Sequence, residues 1–337
     1  MNLVKVELAD QAFFWGNLLQ KNADWIALQA IDDNYVLDGI TMIKSTIVKH
    51  IKTDFSEKDR ADVHDYYNFS KLTETYGKLS FNEFIRACKN SLISLETQAG
   101  TSYQGKLIEI SNGSIKLTEF RDYVLEPYAL EIPLTDIQVM SCHSIDLETI
   151  AAWLDHQGSD ESSDLIEIHL DHYGDKRVDE SAIGKVVAEN SKYALVEVIT
   201  NQGQFASYTV FNKDYSTHVS ENNATLRFLT FAKNYQLANG NYDPHQLAKQ
   251  VPQLDDDLAK MLTQDKVITL DAYDYTANNQ GIITKVGDDF LELMVFDEDD
   301  QPSENQSFAY KDLVSIDLVN YLDSALLEDK NSESIQK

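Results

Sequence analysis

The clearest feature of the hydrophobic pattern is a glycine-anchored arrangement that occurs four times along the chain. In each occurrence the residues 2, 10, 12 and 15 positions after the glycine are apolar. Offsets 10 and 12 lie on one face of a β-strand, because successive strand residues point to opposite faces, and a polar turn precedes this strand. A third alternating stretch and a short closing run follow. The pattern therefore predicts four strongly bent β-meanders, anchored at Gly16, Gly105, Gly184 and Gly281.

Helical periodicity occurs between the meanders. Ser80 and Glu83 have the spacing of a capping box, and an apolar stripe at helical spacing runs from Phe81 through Cys88 to Leu95. This stripe predicts the clearest helix of the chain. Three further helices are predicted over 146–157, 222–237 and 244–262, and Pro252 interrupts the last of them.

Together these elements predict a β-rich α+β protein of four tandem small-barrel repeats with intervening helices. We expect the first repeat with its helices over 1–98, the second with a helix over 99–160, the third with helices over 161–262 and the fourth over 263–328. The polar ending at 329–337 predicts a disordered tail. Each anchoring glycine is expected to permit a bend or a close approach between two backbones.

The order of motifs within each repeat resembles a known small fold. A glycine-led strand, a polar turn, a second strand and an acidic loop precede a closing run such as Lys311-Asp312-Leu313-Val314-Ser315-Ile316. This order resembles the Sm-like or SH3-like small β-barrel, here in tandem in a chain of bacterial type. The resemblance implies RNA binding by loop residues arranged in a ring, with Arg or Lys beside an aromatic residue. Because closing segments such as Thr135-Asp136-Ile137 lack those basic residues, we carry over the barrel and not the RNA.

The charge balance also argues against nucleic acid as a partner. The 337 residues include 56 acidic and 28 basic ones, which gives a formal net charge of −28, and only five of the basic residues are arginine. Tight binding to nucleic acid would have to overcome long-range repulsion with few guanidinium groups. Lys44, Lys49 and Lys52 form the only basic cluster visible in the sequence. We therefore expect no nucleic-acid partner.

The sequence predicts a cytoplasmic protein. No stretch approaches the roughly 18 to 20 apolar residues that cross a bilayer, and the alternating N-terminus lacks the apolar core of a signal peptide. Cys88 and Cys142 have neither the spacing of a zinc site nor the density of a disulfide scaffold. We expect reduced thiols and no membrane partner.

One short segment contains candidate metal ligands. Glu167, His169 and Asp171 would share one strand face, or His169 and His172 would lie one helical turn apart. Either arrangement could hold a transition metal if a third or fourth ligand came from elsewhere. Because a two-histidine cluster without a full ligand set is common, an exposed polar strand is the better explanation. No metal is predicted.

Two acidic stretches, 31–39 and 297–300, invite comparison with calcium-binding loops. The first has Asp32 and Asn34 at ligand spacing but Val36 at the next ligand position, and it lacks the Glu that closes such a loop. Solvated hairpin loops are expected instead, because Asp and Asn favour turns. The chain also contains no P-loop, G-x-G-x-x-G or G-x-S-x-G motif. No catalytic residue and no cofactor are predicted.

Aromatic residues are the remaining candidates for a binding surface, although core and inter-repeat packing explains them at least as well. They include Phe13-Phe14-Trp15, Tyr66-Tyr67, Tyr123, Tyr128, Tyr208, Tyr215, Tyr273, Tyr275 and Tyr310. We predict a non-catalytic interaction or regulatory protein that binds a protein partner, because tandem barrels create extended surfaces. The alternative is an enzyme or small-ligand binder with its site in a cleft between repeats, for which segment 167–172 offers the polar centre.

Overall fold

The described residues form two β-rich units. The computed structural model describes residues 2–10, 12–32, 35–53, 63–156, 163–170, 181–219, 223–273, 279–297 and 302–320. One unit comprises Met1–Asp160 and Ala238–Pro244, and the other comprises Glu161–Leu237 and His245–Lys337. Strands predominate and helices are few in the described part of the chain. The β-rich prediction is confirmed, but the described residues contain less helix than the expected α+β class implies.

The first unit is one ten-stranded antiparallel sheet with three helices. Its strands are β1 (Leu3–Leu8), β2 (Phe13–Lys21), β3 (Trp25–Ile31), β4 (Leu37–Lys44), β5 (Val48–Lys52), β6 (Leu92–Thr97), β7 (Ser102–Ile110), β8 (Ser114–Arg121), β9 (Val124–Pro133) and β10 (Ile137–Cys142). The helices are α1 (Leu72–Tyr76), α2 (Phe81–Ala87) and α3 (Ile145–Asp155). The strand order is β5-β1-β2-β3-β4-β10-β6-β7-β8-β9.

The second unit has a sheet of the same size and one long helix, α4 (Ala224–Asn239). Its strands are β11 (Ile166–Leu170), β12 (Ser181–Glu189), β13 (Tyr193–Ile199), β14 (Phe205–Asn212), β15 (Ser216–Val219), β16 (Val267–Ala272), β17 (Asn279–Val286), β18 (Phe290–Phe296), β19 (Pro302–Ala309) and β20 (Leu313–Asn320). They are ordered β15-β11-β12-β13-β14-β20-β16-β17-β18-β19.

One strand order therefore occurs four times, in segment 1 (β1–β5), segment 2 (β6–β10), segment 3 (β11–β15) and segment 4 (β16–β20). In each segment the fifth strand pairs with the first, and the first four strands follow in sequence. The two segments of a unit join in the same way, because the fourth strand of one pairs with the fifth strand of the other. In the first unit this junction places Ile40 opposite Cys142 and Ile43 opposite Val139.

The anchoring glycines lie where two strands cross at close range. A Cβ atom built on any of Gly16, Gly105, Gly184 or Gly281 would approach a carbonyl oxygen of the neighbouring strand more closely than 3.0 Å, which real Cβ atoms essentially never show. The strand register shifts within four residues after each of these glycines. Glycine is therefore required at these positions for lack of space rather than for a turn.

The core of the first unit spans both of its segments. Alternating strand residues bury Ile40 and Met42 of segment 1 against Leu107 and Leu117 of segment 2. Helix α2 adds the fully buried Phe84 to the same cluster. Each such aliphatic or aromatic side chain contributes about 1.5 to 3 kcal/mol through burial, so the junction between the segments is part of the stable core.

The helix predicted over Phe81–Leu95 is only half correct. Ser80 and Glu83 form the predicted capping box, in which the Ser80 amide donates to the Glu83 carboxylate over 2.8 Å. The helix ends at Ala87 because Asn90 adopts a left-handed φ of 69° and donates its amide to the carbonyl of Leu107. The second half of the stripe, from Leu92, is strand β6, so segment 2 begins before residue 99.

The helix predicted over 244–262 is wrong, whereas α3 and α4 match two of the other predictions to within two residues. Two single 3₁₀ turns, Leu247–Lys249 and Leu258–Lys260, replace it. Pro252 lacks an amide donor and its ring clashes with the preceding helical turn, so the apolar spacing cannot form a continuous helix. The predicted tail at 329–337 lies outside the described residues. No helix among those that the structure describes is long and apolar enough to span a bilayer.

Candidate interaction surface

Two of the three residues of the basic cluster lie at one edge of the first unit's sheet. Lys44 ends β4, and Lys49 and Lys52 lie on β5. Strand β5 is at the edge, because β1 is the only strand that pairs with it among the described residues. Lys49, His50 and Lys52 are all exposed. An edge strand of an acidic protein thus carries a local excess of cationic side chains.

The outward face of β5 continues across β1 and β2. Lys52 lies opposite Lys5 and His50 lies opposite Glu7 in the β1–β5 pair. Lys5 and Glu7 are in turn opposite two aromatic residues of β2. Directly opposed residues share a face of the sheet, and the other face of β1 packs into the core through Val4 and Val6. We call the six residues on this face the outer patch: Lys5, Glu7, Phe13, Trp15, His50 and Lys52. Trp15 is partly buried, because it also packs against a core cluster that includes Leu3.

The aromatic and charged side chains of the outer patch contact one another. Lys5 Nζ lies 4.1 Å from the ring centroid of Phe13 and 5.4 Å from that of Trp15, which places the ammonium within cation–π range of both rings. The two rings meet edge to face with centroids 6.2 Å apart. Phe13 is nevertheless 47% exposed. The patch therefore presents a large apolar ring to solvent next to a fixed positive charge.

The acidic member of the outer patch is already paired. Lys52 Nζ lies 2.7 Å from Glu7 Oε1. This hydrogen bond, with the charges of Lys52, Lys5 and His50, holds the pKa of Glu7 below its ordinary value. Glu7 stays ionised at neutral pH and orients Lys52 without cancelling the cationic character of the edge.

An aromatic cleft lies at the other end of the basic cluster. It has a volume of about 300 Å³, and both segments of the first unit line it. Trp25 and Phe81 stack on each other with centroids 3.6 Å apart and planes inclined by 10°. Lys44 donates its ammonium to the carbonyl of Thr135 over 2.9 Å and so ties segment 1 to segment 2 at the rim. The full lining is Asp24, Trp25, Lys44, Thr46, Phe81, Leu134 and Thr135.

A hydrogen-bonded network that the sequence did not reveal joins Tyr76, His143 and Glu148. His143 Nδ1 lies 2.8 Å from Glu148 Oε1, and His143 Nε2 lies 3.0 Å from the Tyr76 hydroxyl. His143 has a left-handed φ of 57°, and a Cβ on Gly39 would collide with its carbonyl group. His143 and Glu148 are five residues apart, whereas Tyr76 lies 67 residues before His143, so only the tertiary fold brings the phenol to the imidazole.

The network orders the junction but contains no activated nucleophile. Burial, and the nearby Cys142, Cys88 and Glu148, raise the pKa of Tyr76 to about 12, so its phenol keeps its proton at neutral pH. Cys142 and Cys88 are both fully buried in the adjacent core. Burial and the neighbouring Cys88 thiol raise the pKa of Cys142 well above its ordinary value, and a protonated thiol is a poor nucleophile.

The structure describes only part of the segment that contains the candidate metal ligands. Glu167 and His169 lie on β11, with His169 Nε2 3.9 Å from Glu167 Oε2. Asp171 and His172 lie outside the described residues. Within the ranges that the structure covers, no three His, Cys, Asp or Glu side chains are arranged to hold a metal ion.

Of the two acidic loops, only the first can be followed to a side-chain contact. Asp32 Oδ1 accepts the amide of Val36 over 2.8 Å and so stabilises a turn, as expected for a hairpin loop. Asn34 and residues 298–300 lie outside the described residues.

The predicted aromatic residues divide between the core and the surface. Tyr208 and Tyr310 are buried, whereas Phe13 and Tyr128 are about half exposed. Exposure, which the sequence alone does not give, separates the surface candidates from the packing residues.

Comparisons with known proteins add no family. No protein-family model matches the sequence, and no curated protein matches it.

Proposed function

We propose that this protein is a non-catalytic interaction protein that binds a protein partner through the outer patch. We also propose that its four segments are copies of one small bent β-barrel similar to the Sm-like or SH3-like barrel. The common strand order, the crossing glycine and the register shift after it support the four copies. They correspond to the repeats expected over 1–98, 99–160, 161–262 and 263–328, with β6 as the first strand of the second copy.

The exposed aromatic and cationic composition of the outer patch carries the proposal. Aromatic residues are enriched at protein interfaces, where one large ring seated in a partner's pocket often dominates the binding energy. Phe13 is such a ring, with 47% of its surface exposed. The ammonium of Lys5 lies over its face and holds it in place.

Photo-crosslinking at Phe13 tests the proposed function. The codon for Phe13 is changed to encode a photoreactive phenylalanine analogue in the source cell, and crosslinked species are identified by mass spectrometry. Val124 supplies the matched control site, because it is 56% exposed on a different edge strand, β9. We expect one reproducible protein adduct from position 13 and none from position 124. Recovery of a stoichiometric metal or metabolite with no protein adduct would contradict the proposal.

The aromatic cleft supports a second candidate function, the binding of a small ligand between segments 1 and 2. Its volume of about 300 Å³ is at the lower end of ligand-pocket sizes, and apolar walls with a few polar groups are typical of such sites. The test is native mass spectrometry of the purified protein, with Phe81→Ala as the variant that removes one wall. A bound small molecule lost in Phe81→Ala favours this function over the first.

A further inference from the structure

We propose that strand β5 docks an extended acidic segment of a partner protein as an additional β-strand. This inference rests on the proposed interaction function and names its partner by chemistry. The expected segment has acidic residues at alternate positions and β-branched residues between them.

The four sheet edges of the described chain differ in their capacity to accept a strand. Proline has no amide donor, so its presence in an edge strand hinders pairing with a further strand. Edge strand β9 contains Pro127 and Pro133, and edge strand β19 begins with Pro302. Edge strand β15 is only four residues long. Strand β5 has five residues and no proline, and its residues 50–52 pair regularly with β1 beyond one register shift. Among the described residues no strand pairs with its other side, so the amides and carbonyls there could bind an added strand.

The two faces of β5 predict the alternation in the docked segment. His50 and Lys52 point to the outward face, where Lys5 also lies. Ile51 points to the core side with Val6. Residues of an added strand alternate in the same way. Carboxylates would therefore meet His50 and Lys52, while the intervening β-branched side chains would extend the apolar side beside Ile51.

Charge complementarity selects an acidic occupant over a second copy of β5. Pairing β5 with itself would place Lys49 and Lys52 against the same residues of the other copy, and like charges directly opposite each other destabilise a strand pair. The net charge of −28 repels an acidic partner at long range. At physiological salt this repulsion decays over a Debye length of about 8 Å, whereas contacts between paired strands are shorter than that.

The test is fluorescence anisotropy of the full chain with labelled seven-residue peptides. The first peptide has Glu at alternate positions with Val or Thr between them. A second has the same composition in blocks, a third replaces every Glu by Lys, and a fourth carries N-methyl groups on alternate amides. We expect binding of the first peptide only, because only it combines the charge, the alternation and the free amides that strand addition needs.

Protein variants locate the binding site. His50→Gln with Lys52→Gln should weaken binding of the first peptide about tenfold, as expected for the loss of the two side chains that face its carboxylates. Lys106→Gln with Lys116→Gln is the matched control, since it removes two lysines from interior strands β7 and β8, and Lys116 pairs with Glu109 as Lys52 pairs with Glu7. The control should bind within twofold of the native chain. Circular dichroism verifies the fold of both variants, and the N-methylated peptide tests the strand geometry without any change to the protein.

The outcomes distinguish this inference from the proposed function. Equal binding of the blocked, basic or N-methylated peptide, or tighter binding of a single-stranded oligonucleotide, would overturn strand addition by an acidic segment. Failure of the first peptide to bind would do the same. A protein adduct at position 13 would support the interaction function whether or not the first peptide binds. The absence of an adduct there would contradict both the interaction function and strand addition.

Discussion

Replacing Gly105 by alanine should destabilise the first unit by about 2 to 3 kcal/mol, at the upper end of the range for overpacking. The new Cβ would meet the carbonyl oxygen of Thr118 and would lie 2.8 Å from Glu119 Cα and 2.9 Å from Thr118 C. All three atoms belong to the backbone of β8, so no side-chain rotation relieves the contact. The β7–β8 pair must separate, and it loses packing and hydrogen bonds when it does.

An opposing contribution reduces this cost. Alanine restricts the unfolded chain more than glycine does, and this stabilises the folded state by about 0.4 to 1 kcal/mol. Gly100→Ala is the comparison, because Gly100 lies in the turn before β7 with nothing within 4 Å of its hypothetical Cβ and with a φ of 73°. Its only cost is the left-handed backbone, about 1 to 2 kcal/mol.

Tryptophan fluorescence during urea unfolding measures this effect selectively. All three tryptophans, Trp15, Trp25 and Trp153, belong to the first unit. The net cost is then about 1 to 2.5 kcal/mol, and with an m-value of about 1 to 3 kcal/mol/M the midpoint of Gly105→Ala should fall by roughly 0.3 to 2.5 M. A midpoint no lower than that of Gly100→Ala would refute the claim that the strand crossing excludes a side chain.

Three further predictions concern the buried cysteines, two buried tyrosines and nucleic acid. Cys88 and Cys142 should not react with a thiol-specific reagent in the native protein and should both react in urea, because both are fully buried; rapid labelling of the folded chain would contradict this. Tyr76 and Tyr310, whose pKa values burial raises to about 12, keep protons between pH 10 and 12 that the unfolded chain loses, so stability should fall as pH rises through that range. In Tyr76→Phe, phenolate absorbance should show one fewer tyrosine with a raised pKa, and an unchanged number would contradict the raised pKa of Tyr76. Generic single-stranded and duplex oligonucleotides should not bind at low salt, and micromolar affinity would overturn that expectation.

The glycine pattern was readable from the sequence because it depends on local geometry. A residue without a Cβ is required at each strand crossing, and the apolar offsets after it follow the two-residue period of a strand. The helix prediction was wrong at Leu92 and Leu95. These two residues continue the helical spacing of Phe81 to Cys88, but they lie on the next element, strand β6. The left-handed Asn90 that separates those elements has no distinctive signal, since asparagine occurs in many conformations.

The candidate site was only partly predictable for a related reason. Lys44, Lys49 and Lys52 are close in sequence, so their cluster was visible. The outer patch also needs Lys5 and Phe13, which pairing of β1 with both β2 and β5 brings together. Sequence distance likewise hid the contact of Tyr76 with His143, which are 67 residues apart. Side chains gathered by strand pairing become apparent only when the strand order is known.

The arrangement of the segments explains why one edge needs charges rather than prolines. Joining two five-stranded segments through a fourth and a fifth strand uses one edge of each and leaves two edges per unit open. Proline on an edge strand, as on β9, weakens pairing with any added strand, because proline has no amide to donate a hydrogen bond. Lysine on an edge strand disfavours only some partners. It repels basic strands and other copies of the same strand, but it pairs with carboxylates. The cations that disfavour pairing of β5 with a second copy of itself are thus the same side chains that the proposed acidic segment would contact.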